Sequence, residues 1–136
     1  MSDAAKRILY VDDDPDSCEL MSVWLTADGT EYDVTVVSTA QDANMLIADA
    51  GFDLYILDYC LPELSGAELC RAIREIDVDV PVIVYSAIAR PVDRETASEA
   101  GVDLYLVKPD DLDRLKPAIS HLLRKKFNNS FAVSPS

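Results

Sequence analysis

A regular alternation of two kinds of segment constrains the fold of this chain more than any other feature. Short runs of apolar, β-branched and aromatic residues are typical of strands, and they lie at residues 7–11, 32–37, 53–57, 81–85 and 103–107. Segments with helical spacing follow them, at residues 15–27, 40–50, 65–76, 91–100 and 111–126. Strands that alternate with helices form parallel βαβ units with right-handed crossovers. The sequence therefore predicts an α/β fold with a doubly wound, five-stranded parallel sheet and about five helices.

The length of the chain bounds its domain organisation. With 136 residues, about half of them apolar, the chain can form one domain with a core of ordinary size. The last ten residues have no hydrophobic periodicity. We therefore predict one folded domain over residues 1–126 and a flexible C-terminal tail over residues 127–136.

Candidate ligand-binding residues stand at the ends of the first, third, fourth and fifth predicted strands. Asp12 and Asp13 come after the first strand, Asp58 after the third, Ser86 after the fourth and Lys108 after the fifth. In open parallel sheets, ligands bind outside the carboxyl ends of the strands. We therefore expect these five side chains to converge on one crevice.

The chemistry of these residues suits a divalent cation and a phosphoryl group. Clustered carboxylates repel one another, and a hard ion such as Mg²⁺ relieves that repulsion. Asp58 stands alone at its strand end and is the predicted nucleophile, while the paired Asp12 and Asp13 are predicted metal ligands. Lys108 and Ser86 can neutralise or donate to phosphoryl oxygens.

The charge balance argues against two classes of partner. The chain has 12 basic and 25 acidic residues, a net charge of −13. Nucleic-acid binding normally needs clustered Lys and Arg, and an anionic membrane surface repels a chain of this charge. No apolar run approaches the roughly 20 residues of a membrane helix. We therefore predict no direct nucleic-acid or membrane binding, and partners with a basic face.

The cysteines and the N-terminus indicate a cytoplasmic protein. Cys18, Cys60 and Cys70 are widely spaced and odd in number, which favours reduced thiols. The residues before the first strand lack the pattern of a signal peptide. With one histidine, His121, a zinc site has almost no support.

Four short motifs, each at a predicted strand end, occur in order along the chain. They are Val11-Asp12-Asp13, Asp58 followed by Pro62 and Gly66, the segment 82–87, and the segment 101–109. With these motifs, residues 6–126 resemble the receiver domain of response regulators in two-component signalling, here of the stand-alone, single-domain type. The resemblance implies the flavodoxin-like receiver fold with strand order 2-1-3-4-5.

The resemblance also implies a role for each site residue. Asp58 would be the phosphoacceptor, phosphorylated by a histidine kinase or a histidine phosphotransfer protein, with Lys108 as the phosphoryl-binding lysine. Mg²⁺ would be bound directly by Asp13 and Asp58, through water by Asp12, and by the backbone carbonyl of Cys60. The chain would be no enzyme in the ordinary sense, because it would catalyse only its own phosphorylation and dephosphorylation.

A conformational switch is a further implication. Ser86 would move to the phosphoryl group, Tyr105 would rotate into the vacated space, and the polar helix at residues 91–100 would shift. The resulting surface would bind a downstream protein or a second copy of the chain. In this family the peptide before Pro109 is commonly cis.

The chain departs from the common receiver pattern at the positions that line the approach of the hydrolytic water. Cys60 and Ile88 stand there, and neither side chain orients water well. The sequence therefore predicts slow self-dephosphorylation. Asp110 and Asp111 follow Lys108-Pro109, where the family often has an aromatic residue, and they add negative charge near the site.

Other interpretations remain open at single residues and for the whole chain. Asp12 and Asp13 could cap a helix, Ser86 could be an ordinary loop serine, and Tyr105 could serve only in packing. The alternative function is a receiver-like interaction module that does not use phosphate. A haloacid-dehalogenase type of hydrolase needs an aspartate where Cys60 stands. A flavin-binding protein needs a phosphate loop where the acidic cluster lies.

Overall fold

A computed structural model describes residues 5–27, 29, 32–49 and 51–133 of the chain. Strands and helices alternate in the order β1 (Lys6–Val11), α1 (Pro15–Trp24), β2 (Tyr32–Val37), α2 (Ala40–Asp49), β3 (Leu54–Leu57), α3 (Gly66–Ile76), β4 (Val82–Ser86), α4 (Pro91–Ala100), β5 (Leu104–Val107) and α5 (Leu112–Val133). All neighbouring strands pair in parallel, in the order β2-β1-β3-β4-β5. The predicted fold class and strand order are therefore confirmed.

The strands in the middle of the sheet are covered on both faces. Every residue of β3 and β4 is buried, as expected for strands that are apolar along their whole length. One face packs against α2, α3 and the end of α4, and the other packs against α1 and α5. The two apolar layers hold the sheet rigid, so that residues at its carboxyl edge keep fixed relative positions.

Two helix starts follow from local sequence. Asp14 caps α1, its carboxylate accepting a hydrogen bond from the Asp16 amide at 3.1 Å, and Pro15 occupies the first turn. At α3 the Ser65 side chain accepts from the Glu68 amide while the Glu68 side chain accepts from the Ser65 amide. Each cap fixes the residue at which the loop after β1 or β3 ends and the next helix begins. Because these loops border the site, the caps help to set its shape.

The C-terminal helix is longer than predicted. The sequence predicts its end at Lys126, but α5 continues to Val133. Residues 127–133 contain neither glycine nor proline, and a helix that is already formed can extend over such residues without an apolar stripe. The residues 134–136 of the predicted tail lie outside the described part of the chain, and the domain boundary stays a prediction.

The helices also differ in how firmly they are held. Helix α4 buries Asp93 and two alanines, Ala97 and Ala100, so little apolar surface anchors it. A helix with so few buried apolar contacts is expected to shift more easily than the other helices. Among the described residues, no helix combines the length and the apolar character needed to cross a membrane.

Candidate functional site at the carboxyl edge of the sheet

Strand register brings the predicted site residues together. Val11 is paired with Leu57, so Asp12 and Asp58 leave adjacent strands side by side, and the Asp58 amide donates to the Val11 carbonyl at 2.9 Å. At the same edge of the sheet, Lys108 follows β5, and its amide donates to the carbonyl of Ser86 at the end of the neighbouring strand β4, at 2.9 Å. The predicted convergence on one crevice is therefore present in the structure.

Three carboxylates form a cluster that fits a metal ion. Asp12, Asp13 and Asp58 each offer a carboxylate oxygen, and these oxygens lie within 4.8 Å of one another. Asp12 is fully buried and Asp58 is 9% exposed, whereas Asp13 is open to solvent. Oxygen donors alone, with room for water beside them, are what Mg²⁺ prefers in proteins. The residues present therefore fit the predicted ion.

Asp12 is held by three donors. The Tyr10 hydroxyl donates to Oδ2 at 2.8 Å, the Asp14 amide donates to Oδ1 at 3.0 Å, and the Lys108 ammonium forms an ion pair with Oδ2. Burial opposes ionisation of this carboxyl, but the hydrogen bonds from Lys108, Asp14 and Tyr10 outweigh burial and lower its pKa. Asp12 therefore stays charged inside the protein.

Lys108 lies between two carboxylates. Besides its ion pair with Asp12, its Nζ lies 3.7 Å from Asp58 Oδ2. Burial disfavours the charged ammonium, yet the hydrogen bond to Asp12 and the charge of Asp58 together raise its pKa. The peptide that joins Lys108 to Pro109 is cis, as expected. One ammonium thus serves a cluster of three carboxylates.

Asp58 is a buried carboxylate whose charge is only partly compensated. Burial raises its pKa, and this effect exceeds the opposing influence of the Ser86 hydroxyl and of Lys108. Asp58 Oδ1 accepts a hydrogen bond of 3.3 Å from the Cys60 amide. A cation that reached the site would relieve this imbalance, which is the behaviour expected of a metal-assisted nucleophile.

The turn after Asp58 depends on close packing of backbone. The Gly66 amide donates to the Tyr59 carbonyl at 2.8 Å, and a Cβ atom on Gly66 would lie 2.5 Å from the Asp58 carbonyl oxygen. Only glycine allows α3 to begin there. The Cys60 thiol is exposed. The role of the Cys60 carbonyl as a metal ligand stays a prediction.

Both predicted switch residues form a hydrogen bond with the backbone of Ile88. The buried Ser86 hydroxyl accepts from the Ile88 amide at 3.3 Å, and the half-buried Tyr105 hydroxyl donates to the Ile88 carbonyl. The Tyr105 ring lies 5.9 Å from the ring of Tyr59, the residue after Asp58, and the Arg94 guanidinium lies 5.1 Å from it. The loop between β4 and α4 is thus connected to Asp58 by two routes.

Two of these contacts were not predicted from the sequence. Nothing in the motifs marked Tyr10 or Tyr59, although Tyr10 stands two residues before Asp12 and so shares its side of the strand. The sequence also predicts that Asp110 and Asp111 add negative charge near the site. The Asp111 carboxylate accepts a hydrogen bond from the Val107 amide at 2.9 Å and lies 3.5 Å from Arg114.

Comparisons with known sequences agree with this geometry. The family model of the response regulator receiver domain matches residues 8–120. The transcriptional regulatory protein TrcR of Mycobacterium tuberculosis is 35% identical over 119 residues, covering 88% of this chain and 46% of TrcR. The DNA-binding response regulator MtrA of Mycolicibacterium smegmatis is 32% identical over 125 residues, covering 92% and 54%. The chain spans about half the length of these relatives.

Solved structures show the same arrangement of strands and helices. The response regulator TrrA of Thermotoga maritima, in complex with Mg²⁺-BeF, is 32% identical with a TM-score of 0.75, covering 86% of this chain and 98% of that chain. A CheY-like receiver domain from Methanospirillum hungatei is 26% identical with a TM-score of 0.80, covering 92% and 98%. Because the family match extends from β1 into α5 and so includes every strand end that builds the acidic crevice, this chain belongs to the receiver domain family of two-component response regulators.

Proposed function

We propose that this chain receives a phosphoryl group on Asp58 from a phosphohistidine and passes the signal on by protein contact. The observation that carries the proposal is the meeting of Asp12, Asp13 and Asp58 within 4.8 Å, beside Lys108. A purely structural cluster would balance its charges. Here three carboxylates face one ammonium, and the difference favours a divalent cation together with a phosphoryl group.

The transfer is a substitution at phosphorus. An Asp58 oxygen attacks, the new P–O bond forms, and the P–N bond to the donor imidazole breaks. The electron pair of that bond stays on the imidazole nitrogen, which takes up a proton. Mg²⁺ held by Asp12, Asp13, Asp58 and the Cys60 carbonyl would supply charge neutralisation at the phosphoryl oxygens. Response regulators are signalling proteins rather than enzymes in the ordinary sense, and we propose that the chemistry of this chain is confined to its own Asp58.

Lys108 and Ser86 complete the binding of the phosphoryl group. Lys108 Nζ, 3.7 Å from Asp58 Oδ2, is close enough to pair with an oxygen attached there. The Ser86 hydroxyl lies against the same carboxylate and is buried, so its donation to a phosphoryl oxygen meets no competition from bulk water.

The shared attachment to Ile88 supports a switch. When the Ser86 hydroxyl turns to a phosphoryl oxygen, it releases the Ile88 amide, and the loop becomes free to move. Tyr105 then loses the Ile88 carbonyl as its acceptor and can rotate inwards. Helix α4 follows, because it buries little apolar surface. Unchanged α4 amide spectra on addition of beryllofluoride, a phosphoryl analogue, would contradict this switch.

The proposed phosphoryl transfer to Asp58 also indicates the partners of this chain. Receiver domains interact with histidine kinases, and we propose a histidine kinase or a histidine phosphotransfer protein as the donor. The net charge of −13 argues that this chain does not itself bind nucleic acid, although relatives such as MtrA are DNA-binding regulators of about twice its length. The output is then a downstream protein or a second copy of the chain.

The test is intact mass after incubation with acetyl phosphate, with and without Mg²⁺. We expect one Mg²⁺-dependent phosphoryl adduct in the wild type and none in Asp58→Asn. Asp110→Asn is the matched control, because it removes an exposed carboxylate at the same edge of the sheet. The absence of an adduct in folded wild-type protein would favour the alternative, a phosphate-independent interaction module.

A further inference from the structure

A buried tyrosine lies directly behind the acidic cluster. Tyr10 on β1 is completely buried, and its hydroxyl donates to Asp12 Oδ2 at 2.8 Å. Its ring packs in the apolar layer formed with α1 and α5, which includes Met21 and Ile119. The packing of the ring therefore holds the hydroxyl in a fixed position beside the Asp12 carboxylate.

The second side-chain donor to Asp12 is mobile by comparison. Lys108 also contacts Oδ2, but it lies 3.7 Å from Asp58 and has a long, flexible stem. If Lys108 pairs with a phosphoryl group on Asp58, it gives up part of its contact with Asp12. Tyr10 is then the side-chain donor that stays on Oδ2.

We propose that Tyr10 is a positioning residue for the metal site. Its hydroxyl holds the Asp12 carboxylate in the orientation in which an Asp12 oxygen joins those of Asp13 and Asp58, and it keeps that orientation when Lys108 turns to Asp58. This inference rests on the proposed function, since it assumes that the three carboxylates bind Mg²⁺. Hydrogen bonds that orient metal ligands commonly change metal affinity by about 10- to 100-fold when they are removed.

The experiment compares Mg²⁺ binding by the wild type with binding by Tyr10→Phe. The substitution removes the hydroxyl and keeps the ring, so the apolar layer is preserved. Tyr55→Phe is the matched control: Tyr55 is also a buried tyrosine of a central strand, but it packs on the opposite face of the sheet. Dissociation constants come from calorimetric titration with Mg²⁺ and from the Mg²⁺-dependent rise in unfolding temperature.

We expect Tyr10→Phe to bind Mg²⁺ about tenfold more weakly and Tyr55→Phe to bind it like the wild type. The Mg²⁺ concentration that half-saturates phosphorylation by acetyl phosphate should rise by the same factor, while the rate at saturating Mg²⁺ changes less than about twofold. If Tyr10 had only a structural role, Tyr10→Phe would lower the stability of the protein. It would not raise the half-saturating Mg²⁺ concentration while leaving the rate at saturating Mg²⁺ nearly unchanged.

Two results would overturn the inference in different ways. Equal Mg²⁺ affinity in the wild type and in Tyr10→Phe would overturn the role of Tyr10 and leave the proposed function standing. No Mg²⁺ binding by the folded wild type would overturn both, because Tyr10 would then have no metal site to position.

Discussion

The two edges of the sheet carry similar charged residues and use them in opposite ways. At the amino edge, Arg74 donates to the carbonyls of Gly101 at 2.7 Å and Val80 at 2.6 Å, and it pairs with Asp103 at 3.0 Å. At the carboxyl edge, Lys108 lies between Asp12 and Asp58. Both are partly buried cations next to aspartates at strand ends.

The edges differ in how completely their charges are satisfied. At the amino edge, Asp103 also accepts from the Val82 amide at 2.8 Å, and Asp53 accepts in the same way from the Arg7 amide at 2.8 Å. These aspartates precede their strands and tie neighbouring strands together. The aspartates that follow strands are crowded and share one ammonium. A charge cluster whose hydrogen bonds and ion pairs are all made stabilises a fold, whereas a cluster with an excess of one charge can bind ligands and react.

Lys108→Ala should give the largest effect and tests the functional edge. We expect phosphorylation by acetyl phosphate to slow by about 100-fold, because one preorganised cation at the phosphoryl group is lost. Mg²⁺ should bind more tightly, since it no longer competes with the ammonium for Asp12. The measurements are adduct formation by mass and calorimetric titration, with the exposed Lys125→Ala as control. A rate within fivefold of the wild type would contradict the role of Lys108.

Arg74→Ala tests the structural edge. Its loss leaves carbonyl groups and a carboxylate without their donor, so we expect the free energy of unfolding in urea to fall by about 2 kcal/mol. Saturating Mg²⁺ should not restore it, whereas Mg²⁺ should offset the loss of stability in Lys108→Ala. The exposed Arg71→Ala on the same helix should change stability by less than about 0.5 kcal/mol. If Mg²⁺ restored the stability of Arg74→Ala, the proposed difference between a structural and a functional edge would be wrong.

Cys60→Asn tests how water would reach Asp58 at the functional edge once Asp58 carries the proposed phosphoryl group. An amide side chain can hold a water by a hydrogen bond that the exposed thiol makes poorly. We expect the phosphorylated form to decay up to about tenfold faster, the factor that one hydrogen bond supplies. Decay is followed by intact mass after removal of the phosphodonor. Cys60→Ala should decay like the wild type, and equal decay in Cys60→Asn would contradict the prediction.

Asp58→Asn should give the smallest effect, on stability without Mg²⁺. Burial raises the pKa of Asp58 above 3.8, so the folded protein holds this proton more tightly than the unfolded chain. Ionisation therefore costs stability, and the cost grows as pH rises above about 3.8. We expect Asp58→Asn to be more stable than the wild type at pH 7 by about 1 kcal/mol.

The advantage of Asp58→Asn should disappear once the pH falls below 3.8, where the wild-type carboxyl is protonated in both states. The measurement is urea unfolding in EDTA across this pH range, with Asp110→Asn as control. A stability difference that does not change with pH would show that the carboxylate charge is not its cause.

Most of the fold and the main site residues could be predicted because they depend on local order. Alternating segments indicate parallel units, and the ends of parallel strands meet at one edge whatever their side chains are. Asp12, Asp58 and Lys108 were therefore found from position alone. The Asp14 cap and the Ser65–Glu68 capping box are equally local. By contrast, no local sequence pattern indicates the structural role of the Asp103 carboxylate.

The choice of partner for each charged group depends on residues that are far apart in sequence. Arg74 and Gly101 are 27 residues apart, and Lys108 and Asp12 are 96 apart. No periodicity reports which of two carboxylates an ammonium contacts. The extension of α5 to Val133 was not predicted for another reason, because a helix can continue over residues that have no apolar stripe.

The order of segments and motifs along the chain was enough to predict the fold class, the strand order and the carboxyl edge as the place of the site. Tertiary structure alone decided which charges are saturated: Arg74 fully, Lys108 shared between Asp12 and Asp58, and Asp12 supported from behind by Tyr10. The physical reason is that hydrogen bonds and ion pairs depend on distances of a few ångströms, and those distances are set only when the two apolar layers pack the strands and helices together.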